Sequence, residues 1–328
     1  NPDGGNVFQS HALAQVKRRG GWHAHYLKRN DLAITVLEKH VPFLGRYWYI
    51  PKGPGLTAVE DTIDTAGALR EYAETRGVFA IKIEPEIIES DSARRALETA
   101  SLVPTHAIQP NVSTVIIDLK PSTEDILAGF NQKGRHAIHR AERDGATVDI
   151  VSLTNENMRT MYRLLRDTAA GRFESSLRSY AYYRDFWTRF SQNDRGSLFF
   201  ARVEGEVVAA AFCLYIGKKG LYKDGASIRA RTVYGASHLL QWEVMKWMKA
   251  HGVESYDLCG APHSSQIDNE SGSFYGIGRF KTSFNKHVTD YVGCYDIVVR
   301  PRTYQRWQRF GQRIVVSLSY RLRHDQWF

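Results

Sequence analysis

The stretch GRFKTSF, residues 278–284, puts a lysine, Lys281, between aromatic neighbours. Phe274, Ile277, Lys281 and Phe284 follow one another at steps of three, four and three, which is the spacing of one helical face. A lysine on a stripe that faces a core has two explanations. Its stem is buried while its ammonium snorkels to water, or the ammonium is held in a poorly hydrated cleft. In a cleft it can stabilise negative charge developing on a carbonyl oxygen, as acyl transfer requires.

Other residues could serve anionic or aminated substrates. In LRSYAYYRDF, Arg178 and Tyr182 set a guanidinium among aromatic rings, the makings of a binding groove. Lys17 ends ALAQVK, where an amphipathic helix ordinarily shows a solvated cationic face. Glu84 in IKIEPE could accept a proton from an amine, though a carboxylate at a strand exit is more often simply exposed. Lys52 sits in the shaped turn PKGPG, and Asp118 in IIDLKPS suits a cap. The pairs His136/His139 and His23/His25 lack carboxylate or cysteine partners at ligand spacing, so no metal site is expected. Three scattered cysteines without a CxxC fit a reduced, cytoplasmic setting.

The elements that must position these groups are legible from pattern. The chain has 328 residues, 43% hydrophobic and 24% charged, which allows two domains with cores of their own. No window is apolar enough for a membrane-spanning helix, and NPDGGNVFQS has no apolar stretch of the secretory kind. A net charge of +9 favours polyanionic partners. The first pass reads as helix (SHALAQVKRR), hairpin turning at Arg29-Asn30-Asp31, strand RYWYI, helix to about Arg76 and strand VFAIKIEP. A basic helical pattern covers residues 122–144 and stops at Gly145. A second pass follows from about 147: strand TVDIV, helices near 155–170 and 179–192, and two strands turning at Glu204-Gly205. KGLYKDGAS, a long helix and VESYDLCGAP complete it. The stretches GRYWYIPKGPG–helix–RGVFAIKIEPE and KGLYKDGAS–helix–HGVESYDLCGA match, which implies a duplicated domain and not a solenoid. The expected architecture is mixed α/β (α+β): two tandem acetyltransferase-like domains, residues 1–146 plus 293–328 and residues 147–292.

Taken in order, NVFQSHALAQVK, YWYIPKGPG, FAIKIEPEI, STVIIDL, GRHAIHRAERDGATV, LLQWEVMKWMKAHGVESYDLCG and GRFKTSF resemble the Fem family of non-ribosomal peptidyltransferases. The resemblance covers nearly the whole chain. It implies transfer of an amino acid from aminoacyl-tRNA to the stem peptide of a UDP-linked or lipid-linked peptidoglycan precursor, without a cofactor, by a monomer at the inner face of the membrane. It implies a first domain that binds precursor and a second that completes the acceptor and aminoacyl-tRNA site. By the same resemblance Lys17 and Arg178 hold the precursor diphosphate and Tyr182 lines that site. Tyr256, Phe280 and Lys281 surround the transferred acyl group. Glu84 falls where small members carry an aspartate considered as a base, and Phe79 replaces a tyrosine near the peptide stem. Lys52 is a further candidate facing the substrate. No charged helical insertion is visible, so no coiled-coil arm is expected. SIRARTVYGAS, with Gly235 as its one glycine, argues against acetyl-CoA as donor.

From Arg300 to Phe328 there are seven arginines and one acid, Asp325. Trp307, Phe310, Ile314 and Leu318 recur at helical spacing, so this helix should dock on the first domain. Its distal end, with Arg321, Arg323, Trp327 and Phe328, is the candidate for peripheral contact with an anionic leaflet. Two other functions fit the sequence: the same transfer onto a small peptide metabolite, and non-catalytic binding of RNA or a membrane surface through the basic segments.

Overall fold

The computed structural model describes residues 5–109, 112–170, 177–228, 234–323 and 327–328. The chain opens with α1 (His11–Arg18), capped by the Ser10 hydroxyl on the Leu13 N–H at 3.3 Å. The hairpin β1 (His23–Arg29) and β2 (Leu32–Val41) follows, turning through Asn30 at φ +52°. Then come β3 (Gly45–Ile50), α2 (Val59–Thr75), β4 (Val78–Ile83), α3 (Asp91–Thr99) and β5 (Leu102–Thr105). Every residue of β4 is buried, as suits a strand covered on both faces.

The chain continues through β6 (Ser113–Asp118), α4 (Thr123–Gly129), α5 (Gln132–Arg143), β7 (Thr147–Val151), α6 (Asn155–Ala169) and α7 (Tyr180–Gln192). Strands β8 (Gly196–Val203), β9 (Glu206–Ile216) and β10 (Lys219–Ser227) form a meander. Next are α8 (Ala236–Ala250), β11 (Ser255–Gly260), α9 (Tyr275–Lys281) and β12 (Thr289–Asp290). The last elements are β13 (Cys294–Val298), α10 (Pro301–Arg306), a π-helical turn over Trp307–Gly311 and α11 (Gln312–Arg323).

One sheet runs β1-β2-β3-β4-β13-β5 and the other β12-β6-β11-β10-β9-β8-β7. Each contains a parallel pair beside an antiparallel meander: β3 with β4, and β10 with β11. The duplication expected from the sequence is this shared pattern. The compact units are the chain up to Val112 with Asp290–Phe328, and Ser113–Thr289. The expected boundary after residue 146 therefore moves to Val112. Strand β6 pairs with β11 (Ile117↔Tyr256), and the Asn131 N–H donates to the Ser283 carbonyl at 3.0 Å, so β6, α4 and α5 belong to the second unit. These pairings are far apart in sequence, and no local pattern announces them.

In the first unit, β13 is fixed between β4 and β5 by a buried ion pair, Lys82 Nζ to Asp296 Oδ1 at 3.1 Å. Lys82 also donates to Thr105 Oγ1 at 3.0 Å, and Asp296 accepts from the Tyr304 hydroxyl at 2.9 Å. Such a pair adds little net stability but penalises wrong register heavily, because breaking it leaves a buried charge.

The tail corrects two expectations. Trp307 is buried, but Phe310, Ile314 and Leu318 are 61%, 54% and 47% exposed, so the stripe does not dock as a whole. Trp327 is 7% exposed and packs with Trp22, Tyr47 and Trp307. Its carbonyl accepts from Lys39 Nζ at 2.8 Å, so Trp327 is not available to a leaflet. Phe328 stacks on Trp22 in the same cluster. Residues 324–326 of the expected membrane-contact segment lie outside the described residues.

Candidate functional site

The second unit holds Lys281 where β10 and β11 diverge. The parallel pairing ends at Leu221↔Asp257, and β10 then bulges between Tyr222 and Asp224. Beyond it, Cys259 adopts φ +60°, a conformation uncommon for a residue with a side chain. The Asp257 carboxylate holds it there by accepting the Cys259 N–H at 2.6 Å, and it also accepts the Thr114 hydroxyl. The distorted strand end turns two carbonyls inward. Lys281 Nζ donates to Gly260 O at 2.7 Å and to Cys259 O at 3.1 Å.

Lys281 is 7% exposed, so it does not snorkel. Burial lowers its pKa from the ordinary lysine value, with Cys259 and Asp257 working in the opposite direction. An ammonium has three N–H groups, and two are given to the carbonyls. Its nitrogen also lies 5.9 Å from the Tyr222 ring centre. The stripe read from the sequence is only partly kept. α9 ends at Lys281, Phe284 is buried, and Phe274 is 44% exposed. Phe280, half-buried, packs on His238 at 4.9 Å between centroids.

Tyr256 lies in the core of this unit, not at a substrate surface. It is fully buried, and its hydroxyl bonds Gln241 Oε1 at 2.9 Å and Cys213 Sγ at 3.3 Å. Burial pushes its pKa well above the ordinary tyrosine value. Its proposed place near an acyl group is therefore withdrawn.

Arg178 and Tyr182 do come together. The guanidinium carbon stands 4.4 Å from the Tyr182 ring centre, and the Tyr162 hydroxyl fixes the Arg178 carbonyl at 3.1 Å. The sequence reading missed Lys223 and Asp224 beside this group. Burial opposes the Lys223 charge most strongly, but Asp224 at 2.9 Å together with Tyr183 and Tyr182 outweighs it, and the lysine pKa is raised. Asp224 also takes the Trp187 N–H at 2.9 Å. Tyr183, its pKa raised by burial and by Asp224, feels both Lys223 and Arg178. The signal was available as adjacent opposite charges in the middle of the strand KGLYKDGAS.

In the first unit, Glu84 follows β4 and is 4% exposed. Oε2 accepts from the Tyr49 hydroxyl at 2.7 Å and the Lys52 N–H at 3.2 Å. Oε1 accepts from the N–H groups of Ile108 and Gln109 at 2.8 and 2.9 Å. A carboxylate has about four acceptor sites, and four donors fill them. Glu84 is thus neither an exposed strand exit nor placed as a base; it ties two loops to the end of β4. Lys52, at φ +46° and 3% exposed, has its ammonium 5.0 Å from the Tyr291 ring centre. Lys52 and Glu84 line a small cavity with Gln109 and Tyr291. Lys17 is 6% exposed, so the solvated face expected for it is also wrong. Phe79 is fully buried between Tyr47 and Trp307, at 5.6 and 5.7 Å, and cannot touch a peptide stem.

Residues 229–233 of the segment read against a coenzyme A loop lie outside the described residues. Gly235 itself has a packing reason. It sits at φ +88°, and a Cβ there would come within 2.0 Å of the Ala137 carbonyl oxygen on α5. Among the described residues no cluster of His, Cys, Asp and Glu could hold a metal ion.

Comparison with known proteins agrees with this architecture. Residues 1–108 match the FemAB family, and residues 130–269 match the acetyltransferase (GNAT) domain. A lipid II:glycine glycyltransferase of Staphylococcus aureus strain MRSA252 is 21% identical, over 96% of this chain and 93% of the relative. The corresponding protein of strain USA300 is 20% identical over 94% and 92%. The crystal structure of FemX superposes with a TM-score of 0.78 at 18% identity, covering 93% of this chain and 95% of FemX. L-PGS from Bacillus licheniformis gives 0.52 at 13% identity, over 92% and 98%. With two acetyltransferase-type sheets, a FemAB match in the first half and a GNAT match in the second, the chain resembles the Fem family along nearly its whole length.

Proposed function

We propose that this protein transfers an aminoacyl group from aminoacyl-tRNA to an amine of the stem peptide of a peptidoglycan precursor. The observation that carries the reading is Lys281: a buried ammonium, oriented by two carbonyls at 2.7 and 3.1 Å, where β10 and β11 part. The names of the glycyltransferase relatives support a lipid-linked precursor as acceptor.

The chemistry is aminolysis of an ester. A neutral amine attacks the aminoacyl carbonyl, the new C–N bond forms, and an oxyanion develops. The C–O bond to ribose then breaks, and the proton lost by the amine ends on the departing hydroxyl. An ester is already activated, so orientation and charge stabilisation suffice. Lys281 supplies the charge to the oxyanion, with Phe280 as its aromatic neighbour on α9. Arg178, stacked on Tyr182, takes diphosphate oxygens of the acceptor in this reading. Lys52 faces the small cavity beside Glu84, and Glu84 acts as a positioning residue. A lipid-linked acceptor would also bring the protein to a membrane surface.

The test is intact-mass analysis of lipid-linked and nucleotide-linked precursors incubated with the protein and total charged tRNA. The expected product is a precursor heavier by one aminoacyl residue, lost after ribonuclease treatment of the tRNA. Product formed equally from free amino acid and ATP would overturn the donor, and no mass gain on either precursor would overturn the acceptor.

A further inference from the structure

α11 and the π turn before it carry two apolar sides. One is used internally. Trp307 is buried, Val315 packs on the same aromatic cluster, and a Cβ on Gly311 would meet Leu44 at 2.8 Å. The other side faces outward. Phe310, Ile314 and Leu318, at four-residue steps, form a ridge of exposed side chains, 61%, 54% and 47% accessible. Solvent exposure of three such groups in a row calls for a partner.

The charges around the ridge indicate which partner. Arg302, Arg306, Arg309, Arg313 and Arg321 are all exposed, and no aspartate or glutamate occurs from residue 297 to 324. A second copy pairing through this face would set arginines against arginines. A nucleic acid would satisfy the arginines but would leave Ile314 and Leu318 with nothing to stack or bury. An apolar ridge flanked only by cations matches a surface with anionic headgroups outside and acyl chains beneath. We propose that the α11 face formed by Phe310, Ile314 and Leu318, with Arg309, Arg313 and Arg321, is a docking surface for anionic phospholipid membranes. The helix lies in the plane of the interface, with the ridge inserted and the guanidinium groups on phosphates. This rests on the helix itself and not on the transfer reading. It places the contact on the exposed face of α11 and not on the buried Trp327.

The experiment is co-sedimentation of the full chain with vesicles of phosphatidylcholine alone or with about one-third phosphatidylglycerol. Two variants accompany it. One carries Phe310→Ser, Ile314→Ser and Leu318→Ser; the other carries Arg309→Gln, Arg313→Gln and Arg321→Gln. Wild type should sediment with the anionic vesicles and not with the neutral ones. The serine variant should lose binding. The glutamine variant should bind about 100-fold more weakly, since each cation near an anionic surface contributes roughly fivefold. If the serine variant melts early, the glutamine variant decides. Failure of wild type to bind anionic vesicles, or glutamine-variant binding equal to wild type, overturns the proposal. So does a wild-type dimer, dispersed by the serine changes, that ignores vesicles: the face is then an interface between copies.

Discussion

At the scale of single residues, burial and hydrogen bonding separate groups that act from groups that hold. Lys281 and Glu84 are both buried beside a parallel strand pair, yet Glu84 has its acceptor sites filled by four donors and Lys281 gives two of its three N–H groups to carbonyls. Lys281→Met keeps the stem volume and removes the charge. Its turnover should fall about 100-fold, roughly 3 kcal/mol of transition-state stabilisation, with a near-wild-type melting temperature. Retained turnover would refute the oxyanion role. His238 offers a pH test of the same neighbourhood. Burial depresses its pKa from 6.5 to about 4, and its ring lies against Phe280 and Phe284. Between those values the unfolded chain binds a proton that the folded chain does not, so stability rises with pH through this window and is lost as pH falls. The loss should approach roughly 3 kcal/mol. In urea melts between about pH 7 and 4.5, wild type should therefore lose stability relative to His238→Leu on acidification; parallel curves would show that folding does not shift the His238 pKa.

At the scale of elements, α7 and β10 build a cationic and aromatic cluster in the second unit. Arg178 precedes α7, whose first turn is capped by the Ser179 hydroxyl on the Tyr182 N–H at 3.3 Å. That cap fixes Tyr182 as the platform for the guanidinium. Arg178→Ala should raise the apparent KM for the precursor about tenfold or more, as loss of one charge-assisted contact would, while kcat changes little. Arg178→Lys should recover only part of the loss, because a lysine cannot stack or form a fork. A fall in affinity for charged tRNA with an unchanged precursor KM would move Arg178 to the donor side.

At the scale of the molecule, the chain carries a net charge of +9. The second unit exposes Lys133, His136, Arg140 and Arg143 along α5, and the Arg140 guanidinium lies 5.2 Å from the Tyr234 ring centre. If the donor is a tRNA held partly by such contacts, its KM should rise about tenfold or more between roughly 50 and 200 mM salt. A flat salt response would show that phosphate contacts do not carry donor binding.

The sequence alone determined the duplicated order of elements, the hairpin at Asn30, and the place of Lys281 on an apolar helical face. These rest on local periodicity and turn chemistry, which each segment carries with it. It could not determine what Lys281 touches, since the Cys259 and Gly260 carbonyls reach it through a strand distortion held by Asp257 and Thr114. Nor could it tell that Phe79 and Tyr256 face cores, that four separate donors occupy Glu84, or that β6 pairs with β11. The tail shows the same division. Its helical spacing was legible, but which side of the helix meets the aromatic cluster was decided by Trp22, Tyr47 and Trp327 closing around Trp307, and that packing is non-local.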